Sequence, residues 1–345
     1  MKKLIKRGFA ALLALTLALG MSISAFAVEG TADTKTAVAK KDYQLTHTDN
    51  NSESPAEDFH FTAKATNVTD ANNPDGSAVT LDQVPNLTIT DVSYEKGGAG
   101  SANSVKSFDV KPDKDFPSVG VYTYEVTETD GKTAGVTYNK EKLELKVTVF
   151  HDAETNKIKV AYAFRVGANK GATIVNTYSA GTLQVGKHVF GNLGNKEQKF
   201  NITVTLTAPE GQTVNSTITL SDKDKTQILP GEWTKDDTGR STVTKKISLA
   251  AEQAIVFSNV PYGVTYKVQE DKYEGYKTTY SETPEGAEFV QGTINAKHTI
   301  ADIFNEKEGT VDTGVILHSA PYVLLLVGVG AAAVAFLILK KHREV

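Results

Sequence analysis

Two five-residue stretches, Tyr124-Glu125-Val126-Thr127-Glu128 and Tyr266-Lys267-Val268-Gln269-Glu270, share the order Tyr-x-Val-x-Glu, and the rest of the chain can be placed around them. Successive side chains of a strand point to opposite faces, so each stretch is expected to be a β-strand with Tyr, Val and the closing Glu on one side. That side is apolar except for the carboxyl group that ends it. A glutamate at a strand end ordinarily just turns into solvent. Two of them in matching contexts raise the question of what a carboxyl group facing a core is for.

Working outward from the first copy, period-two alternation places Ala37, Ala39, Lys41, Tyr43 and Leu45 on one strand face, with a lysine inside an apolar row. Further strands are expected over 58–65, 86–94, 104–110, 120–128, 143–150, 157–165 and 173–178. Asn72-Asn73-Pro74-Asp75-Gly76 and Lys96-Gly97-Gly98-Ala99-Gly100 punctuate them as turns or loops. Eight or nine short strands with no amphipathic helix predict a β-sandwich.

After the small-residue joint Ser179-Ala180-Gly181 the order repeats. Leu183, Val185, Lys187 and Val189 form another apolar row holding a lysine, and strands are expected over 200–206, 216–220, 241–249, 255–258 and 263–270. Ala301, Ile303 and Asn305 close this unit as Ile174 and Asn176 closed the first. Each unit thus carries Lys in its first strand, Glu in a late strand and Asn in its last. The Lys-to-Glu separations are similar, 87 and 83 residues. The fold class expected is all-β: two tandem immunoglobulin-like β-sandwich domains over 37–178 and 182–306, with a lead-in at 28–36.

Both ends read as processing signals. Lys2, Lys3, Lys6 and Arg7 precede an apolar run, and Ala25-Phe26-Ala27 supplies a small-x-small cleavage pattern, so 1–27 is expected to be a secretory signal peptide. Residues 322–339 carry no charge and are long enough for a transmembrane helix. The basic tail 340–345 follows at once, which leaves the tail inside and the domains outside.

Setting the cationic ends aside leaves an ectodomain more acidic than the formal −4 of the whole chain. Nothing is arranged to neutralise phosphates, so no nucleic-acid partner is expected. The chain contains no cysteine, which excludes disulfides, thiolate metal sites and thiol nucleophiles. Its seven histidines show no metal-ligand spacing, and neither a metal nor another cofactor is expected. Gly131-Lys132-Thr133 lacks the earlier glycine of a phosphate loop, since Val126 stands there. Gly328-Val329-Gly330 suits helix packing in the apolar span. The Asn-x-Thr triplets at Asn67, Asn86 and Asn201 occur in a threonine-rich chain where such triplets arise by chance.

An amine, a carboxyl and a carboxamide buried together must satisfy one another. Desolvation pushes a buried lysine toward the neutral, nucleophilic amine and a buried glutamate toward the neutral acid. The acid can polarise the asparagine carbonyl and carry a proton as the amide nitrogen leaves as ammonia. The product is a Lys–Asn side-chain amide, formed once per site, with proximity in the folded core supplying most of the rate.

With these features the chain resembles the major (backbone) pilins of Gram-positive bacteria, the streptococcal-type pilins with intramolecular Lys–Asn isopeptide linkages. Their immunoglobulin-like domains are of the CnaB type. The resemblance runs from the signal peptide to the tail, and Lys41-Asp42-Tyr43-Gln44-Leu45 and residues 120–128 carry it most strongly. It implies isopeptide bonds Lys41–Asn176 and Lys187–Asn305, with Glu128 and Glu270 as acid–base catalysts. Lys40 replaces Lys41 if the first strand shifts by one residue, although its face then carries Asp42 and Gln44.

Within 307–345, the motif Thr310-Val311-Asp312-Thr313-Gly314 resembles a sortase sorting signal cut between Thr313 and Gly314, although it lacks the Leu and Pro of the common Leu-Pro-x-Thr-Gly form. The family joins the cut threonine to a lysine of the next subunit. Lys170 occupies about that place, but it reads equally as a solvated loop lysine, and the Tyr-Pro-Lys element of other pilins is absent.

The resemblance implies a wall-anchored surface pilus shaft used in adhesion, and no enzyme beyond single-turnover self-crosslinking. Its implied partners are sortase, neighbouring subunits in a covalent homopolymer, minor pilins, a host surface ligand and peptidoglycan. The alternative is a singly wall-anchored adhesin or minor pilin of the same fold that is not polymerised.

Overall fold

The computed structural model of the chain describes residues 36–46, 48, 52–170, 173–222, 225–229 and 232–309. The expected signal peptide, the lead-in short of residue 36, the sorting motif with Thr313 and Gly314, the apolar span and the basic tail lie outside the described residues. Among the described residues no helix is long and apolar enough to cross a membrane.

The structure is all-β. Its first half contains β1 (Ala37–Leu45), β2 (Glu57–Phe59), β3 (Phe61–Thr69), β4 (Leu87–Ile89), β5 (Val92–Tyr94), β6 (Val105–Pro112), β7 (Gly120–Glu128), β8 (Val136–Thr137), β9 (Leu143–His151), β10 (Ile158–Val166), β11 (Asn169–Lys170) and β12 (Thr173–Tyr178). Two five-stranded sheets, β4-β6-β1-β12-β8 and β11-β10-β9-β7-β3, contribute to one core, and β2 pairs with β5 separately.

The second half contains β13 (Ala180–Phe190), β14 (Phe200–Thr207), β15 (Thr219–Ser221), β16 (Thr226–Ile228), β17 (Thr234–Lys235), β18 (Ser241–Leu249), β19 (Gln253–Pro261), β20 (Thr265–Glu270), β21 (Lys277–Tyr280), β22 (Val290–Thr293) and β23 (His298–Glu306). They form the sheets β16-β15-β19-β13-β23-β21 and β17-β18-β14-β20-β22 around a second core.

Alternation accounts for both cores. Tyr122, Tyr124 and Val126 of β7 and Leu143, Leu145, Val147 and Val149 of β9 are buried while their neighbours along each strand are more exposed. Burying each such aliphatic side chain contributes about 1.5–3 kcal/mol. The structure has more strands than alternation alone predicts. The stretch 58–65 breaks at His60, so that β2 leaves for the small sheet while β3 joins the large one, and 86–94 divides between β4 and β5 in the same way. β21 and β22 have little apolar alternation and are held by pairing to neighbouring strands.

The topology makes the first and last strands of each half parallel neighbours: β1 beside β12, and β13 beside β23. Only Ser179 separates β12 from β13. The joint is hydrogen-bonded on several sides. Thr133 and Thr213 form a parallel bridge, with Ala134 N donating to Thr213 O at 2.8 Å and Thr213 N to Lys132 O at 2.9 Å. The buried Asn259 side chain donates to the carbonyls of Glu53 (2.8 Å) and Thr217 (3.0 Å) and accepts from Glu53 N (3.2 Å). Its backbone is left-handed, at φ +60°, a conformation asparagine tolerates better than most residues.

Candidate functional site

Lys41 lies on the inner row of β1 between Ala39 and Tyr43, all three buried, whereas Lys40 points outward and is exposed. Parallel pairing sets Lys41 opposite Ile174 and Tyr43 opposite Asn176, so the asparagine lies two residues further along the adjacent strand on the same face. An extended lysine side chain spans such a diagonal. Glu128 enters from the other sheet at the end of β7. The lysine and glutamate side chains are 0% and 1% exposed, with Lys41 Nζ 3.6 Å from Glu128 Oε1.

Asn176 Nδ2 donates to Glu128 Oε1 at 2.6 Å. Lys41 Nζ also donates to Ile174 O at 3.4 Å and sits 4.3 Å from the centre of the Phe59 ring. Phe59 belongs to an edge-to-face cluster with Tyr43 and Tyr94, with centroids 5.2 to 5.7 Å apart. The amine is therefore walled by aromatic carbon on one side and by a carboxyl group on the other.

The second half repeats the arrangement with the same stagger: Lys187 opposite Ile303, and Val189 opposite Asn305. Glu270 again comes from the facing sheet, at the end of β20. Lys187 Nζ is 2.9 Å from Glu270 Oε2, with both side chains fully buried, and Asn305 Nδ2 donates to Glu270 Oε1 at 2.6 Å. The Lys187–Glu270 contact has ion-pair distance, and neither atom has an aligned hydrogen-bond partner among the described residues. Phe200 takes the place of Phe59, its ring centre 4.6 Å from Lys187 Nζ. Glu270 N donates to the hydroxyl of Tyr280 at 3.0 Å.

Burial dominates the electrostatics of both sites. It pushes the Lys41 and Lys187 amines down to about 8, against the opposing pull of Glu128 and Glu270. It pushes both carboxyl groups up, against the pull of the lysines. Each pair is thus drawn toward neutral amine and neutral acid, the forms that nucleophilic attack and proton donation require.

All six residues expected from the sequence are gathered as two Lys–Glu–Asn clusters. In one respect the geometry differs from the chemistry expected: each carboxyl group faces the amide nitrogen of its asparagine, not the carbonyl oxygen. In the first cluster the carbonyl is turned instead to the backbone N–H of Asn139, 2.9 Å from Asn176 Oδ1. Sequence reasoning had no means of finding that donor, because a backbone group carries no residue signature. Phe59 and Phe200 were also missed; each is an aromatic residue at a strand end next to the buried lysine. Lys170 lies at the end of β11, in register with Arg165; its side chain lies outside the described residues.

Residues 37–179 match the family described as the Spy0128-like isopeptide containing domain. Residues 181–307 match a domain of unknown function. The chain is 28% identical over 264 residues to a pilin of Streptococcus pyogenes serotype M1, covering 72% of this chain and 76% of that protein. Two solved structures share the fold. The major pilin from Streptococcus pyogenes is 23% identical, with 80% of this chain and 100% of that one covered and a TM-score of 0.52. The T3.2 major pilin from the same species is 22% identical, with 79% and 98% covered and a TM-score of 0.53.

Proposed function

We propose that this chain, a pilin subunit of the Gram-positive major type, staples each of its two sandwich domains with a Lys–Asn side-chain amide and is then built by sortase into a wall-anchored pilus shaft. One observation carries the stapling: the same Lys–Glu–Asn cluster occurs twice, with the same two-residue stagger between parallel first and last strands and the glutamate supplied from the facing sheet. The bonds are Lys41–Asn176, within an isopeptide domain spanning 37–178, and Lys187–Asn305, within one spanning 182–306. Glu128 and Glu270 move the protons. Folding itself supplies the proximity, so the reaction needs no cofactor and turns over once.

Linking the first strand to the last also sets the mechanics. Tension applied at the two ends of a domain is carried by the amide, and the hydrogen-bonded sheets between are shielded. Such a bond suits a shaft that must resist shear. Sortase cleavage between Thr313 and Gly314 and transfer of the threonine to Lys170 of the next subunit complete the covalent polymer. The assembled shaft stands at the cell surface and serves adhesion.

The intact mass of recombinant 28–313 tests the stapling. The expected mass is lower by two ammonias than the sequence requires. Glu128→Ala, Glu270→Ala and Lys41→Ala should each restore one ammonia, and Lys40→Ala none. A folded wild-type fragment of unmodified mass would sink the proposal. For polymerisation, wall extracts should show a high-mass ladder that resists hot detergent and is lost in Lys170→Ala; a single anchored species in wild-type cells would point to the unpolymerised alternative.

A further inference from the structure

The two clusters differ in one donor, and the strand beside each asparagine explains why. In the first domain β8 pairs with β12 only through Val136 and Thr137. Beyond Thr137 the chain leaves the ladder, and the N–H of Asn139 is free to turn inward. It donates to Asn176 Oδ1 at 2.9 Å and, less closely, to Glu128 Oε2 at 3.3 Å. The turn is held by Asn139's own side chain, whose Nδ2 donates to Glu141 O at 3.2 Å and whose Oδ1 accepts from Glu141 N at 3.4 Å.

In the second domain the corresponding neighbour, β21, stays in register with β23 past the asparagine, with Thr278 opposite Asn305. No N–H is released there, and Asn305 Oδ1 has no hydrogen-bond partner among the described residues. A backbone N–H can only donate, so its contact fixes which end of the Asn176 amide is oxygen and leaves Nδ2 facing Glu128.

We propose that the backbone N–H of Asn139 is a one-donor oxyanion hole for bond formation in the first domain, and that the second domain forms its bond without one; this rests on the isopeptide reading above. Lys41 Nζ attacks Asn176 Cγ, a C–N bond forms, and negative charge gathers on Oδ1, where the N–H already points. Glu128, facing Nδ2, gives its proton to that nitrogen. The Cγ–Nδ2 bond breaks and ammonia leaves. Glu128 then regains a proton from the attacking nitrogen. Amine and amide give a secondary amide and ammonia, with no other reactant. In the second domain Glu270 faces Nδ2 in the same way, so leaving-group protonation falls to it, while among the described residues Asn305 Oδ1 has no donor to take up the developing charge.

The test removes only that N–H, by placing the α-hydroxy analogue of asparagine at position 139 so that the peptide becomes an ester. Ammonia loss is then followed separately in the two domains by peptide mass mapping during refolding. Losing one oxyanion donor slows such reactions roughly 10²-fold, so the first domain should slow by about that factor while the second keeps its wild-type rate in the same molecules. Asn139→Pro, which also lacks the N–H, should match the ester if it folds. An ester variant whose first domain crosslinks at the wild-type rate overturns the proposal, as does equal slowing of the second domain in the same molecules. Absence of ammonia loss from both wild-type domains would remove the isopeptide reading itself and this inference with it.

Discussion

Replacing Lys187 by methionine removes the nucleophile of the second domain while keeping an unbranched apolar side chain against the Phe200 ring, which lies 4.6 Å from the amine it replaces. No buried cation is left behind, because the amine itself is gone. What is lost is the crosslink. The loop it closes runs from Lys187 to Asn305, 119 residues, and by the chain-entropy relation used for disulfides such a closure is worth about 5 kcal/mol through the unfolded state.

A domain of roughly 130 residues has an unfolding entropy of about 2.1 cal/mol/K per residue, so that loss lowers its Tm by roughly 20 °C. Scanning calorimetry of the Lys187→Met fragment, with mass mapping to confirm that residues 181–307 keep their ammonia, measures this directly. Glu270→Gln should be less stable still, since it abolishes the bond and also leaves the Lys187 amine buried without its carboxyl partner, so that it must be deprotonated on folding, a further cost of about 3–5 kcal/mol. A Tm drop of less than about a quarter of the expected value, with the bond shown to be absent, would refute the view that the staple stabilises by closing a long loop. The reverse order of the two variants would refute the assignment of Glu270 as the partner of Lys187.

Two more outcomes are expected. Bond formation needs each Lys–Glu pair to hold one proton between them, so with the carboxyl groups pushed up and the amines pushed down to about 8, its rate should rise with pH through the raised carboxyl range, level off, and fall above about pH 8. Below that window a second proton locks the amine as a cation; above it none remains for the leaving nitrogen. Refolding unlinked chain across pH and counting ammonia lost checks this, and a rate that keeps climbing beyond the amine value contradicts it. At the joint, Asn259→Ala should weaken the coupling between the two halves by about 1–3 kcal/mol, read as a lower first transition in calorimetry, because the carbonyls of Glu53 and Thr217 lose their donor. Asn259→Gly relieves the left-handed backbone but not the lost hydrogen bonds, so full stability in that variant would assign the effect to strain instead.

Much of the site was legible because a strand writes its buried face in every second residue. Lys41 and Lys187 stand out as cations in apolar rows, Glu128 and Glu270 as carboxyl groups at the ends of such rows, and Asn176 and Asn305 as amides in the closing strands. The repeat supplied what no single row could, since one buried lysine has several explanations and two with matching partners have few. The choice between Lys40 and Lys41 required the structure, because adjacent residues differ only in which side of the sheet they face, and pairing with β12 and β6 decides that.

By itself, the sequence determined the strand-rich class, the duplication and the identity of the six clustered side chains, all of which follow from local alternation and order along the chain. Tertiary structure decided what lies across the gaps between them. The parallel pairing of first and last strands brings residues more than a hundred positions apart to a two-residue stagger, and the facing sheet delivers the carboxyl group. Tertiary structure also decided how the two sites differ. Whether an N–H stays in a ladder or turns toward a carbonyl depends on where a neighbouring strand stops, and β8 stops at Thr137 whereas β21 runs on beside Asn305. Backbone groups are the same at every residue, so their partners are set by the fold and not by the letters that spell it.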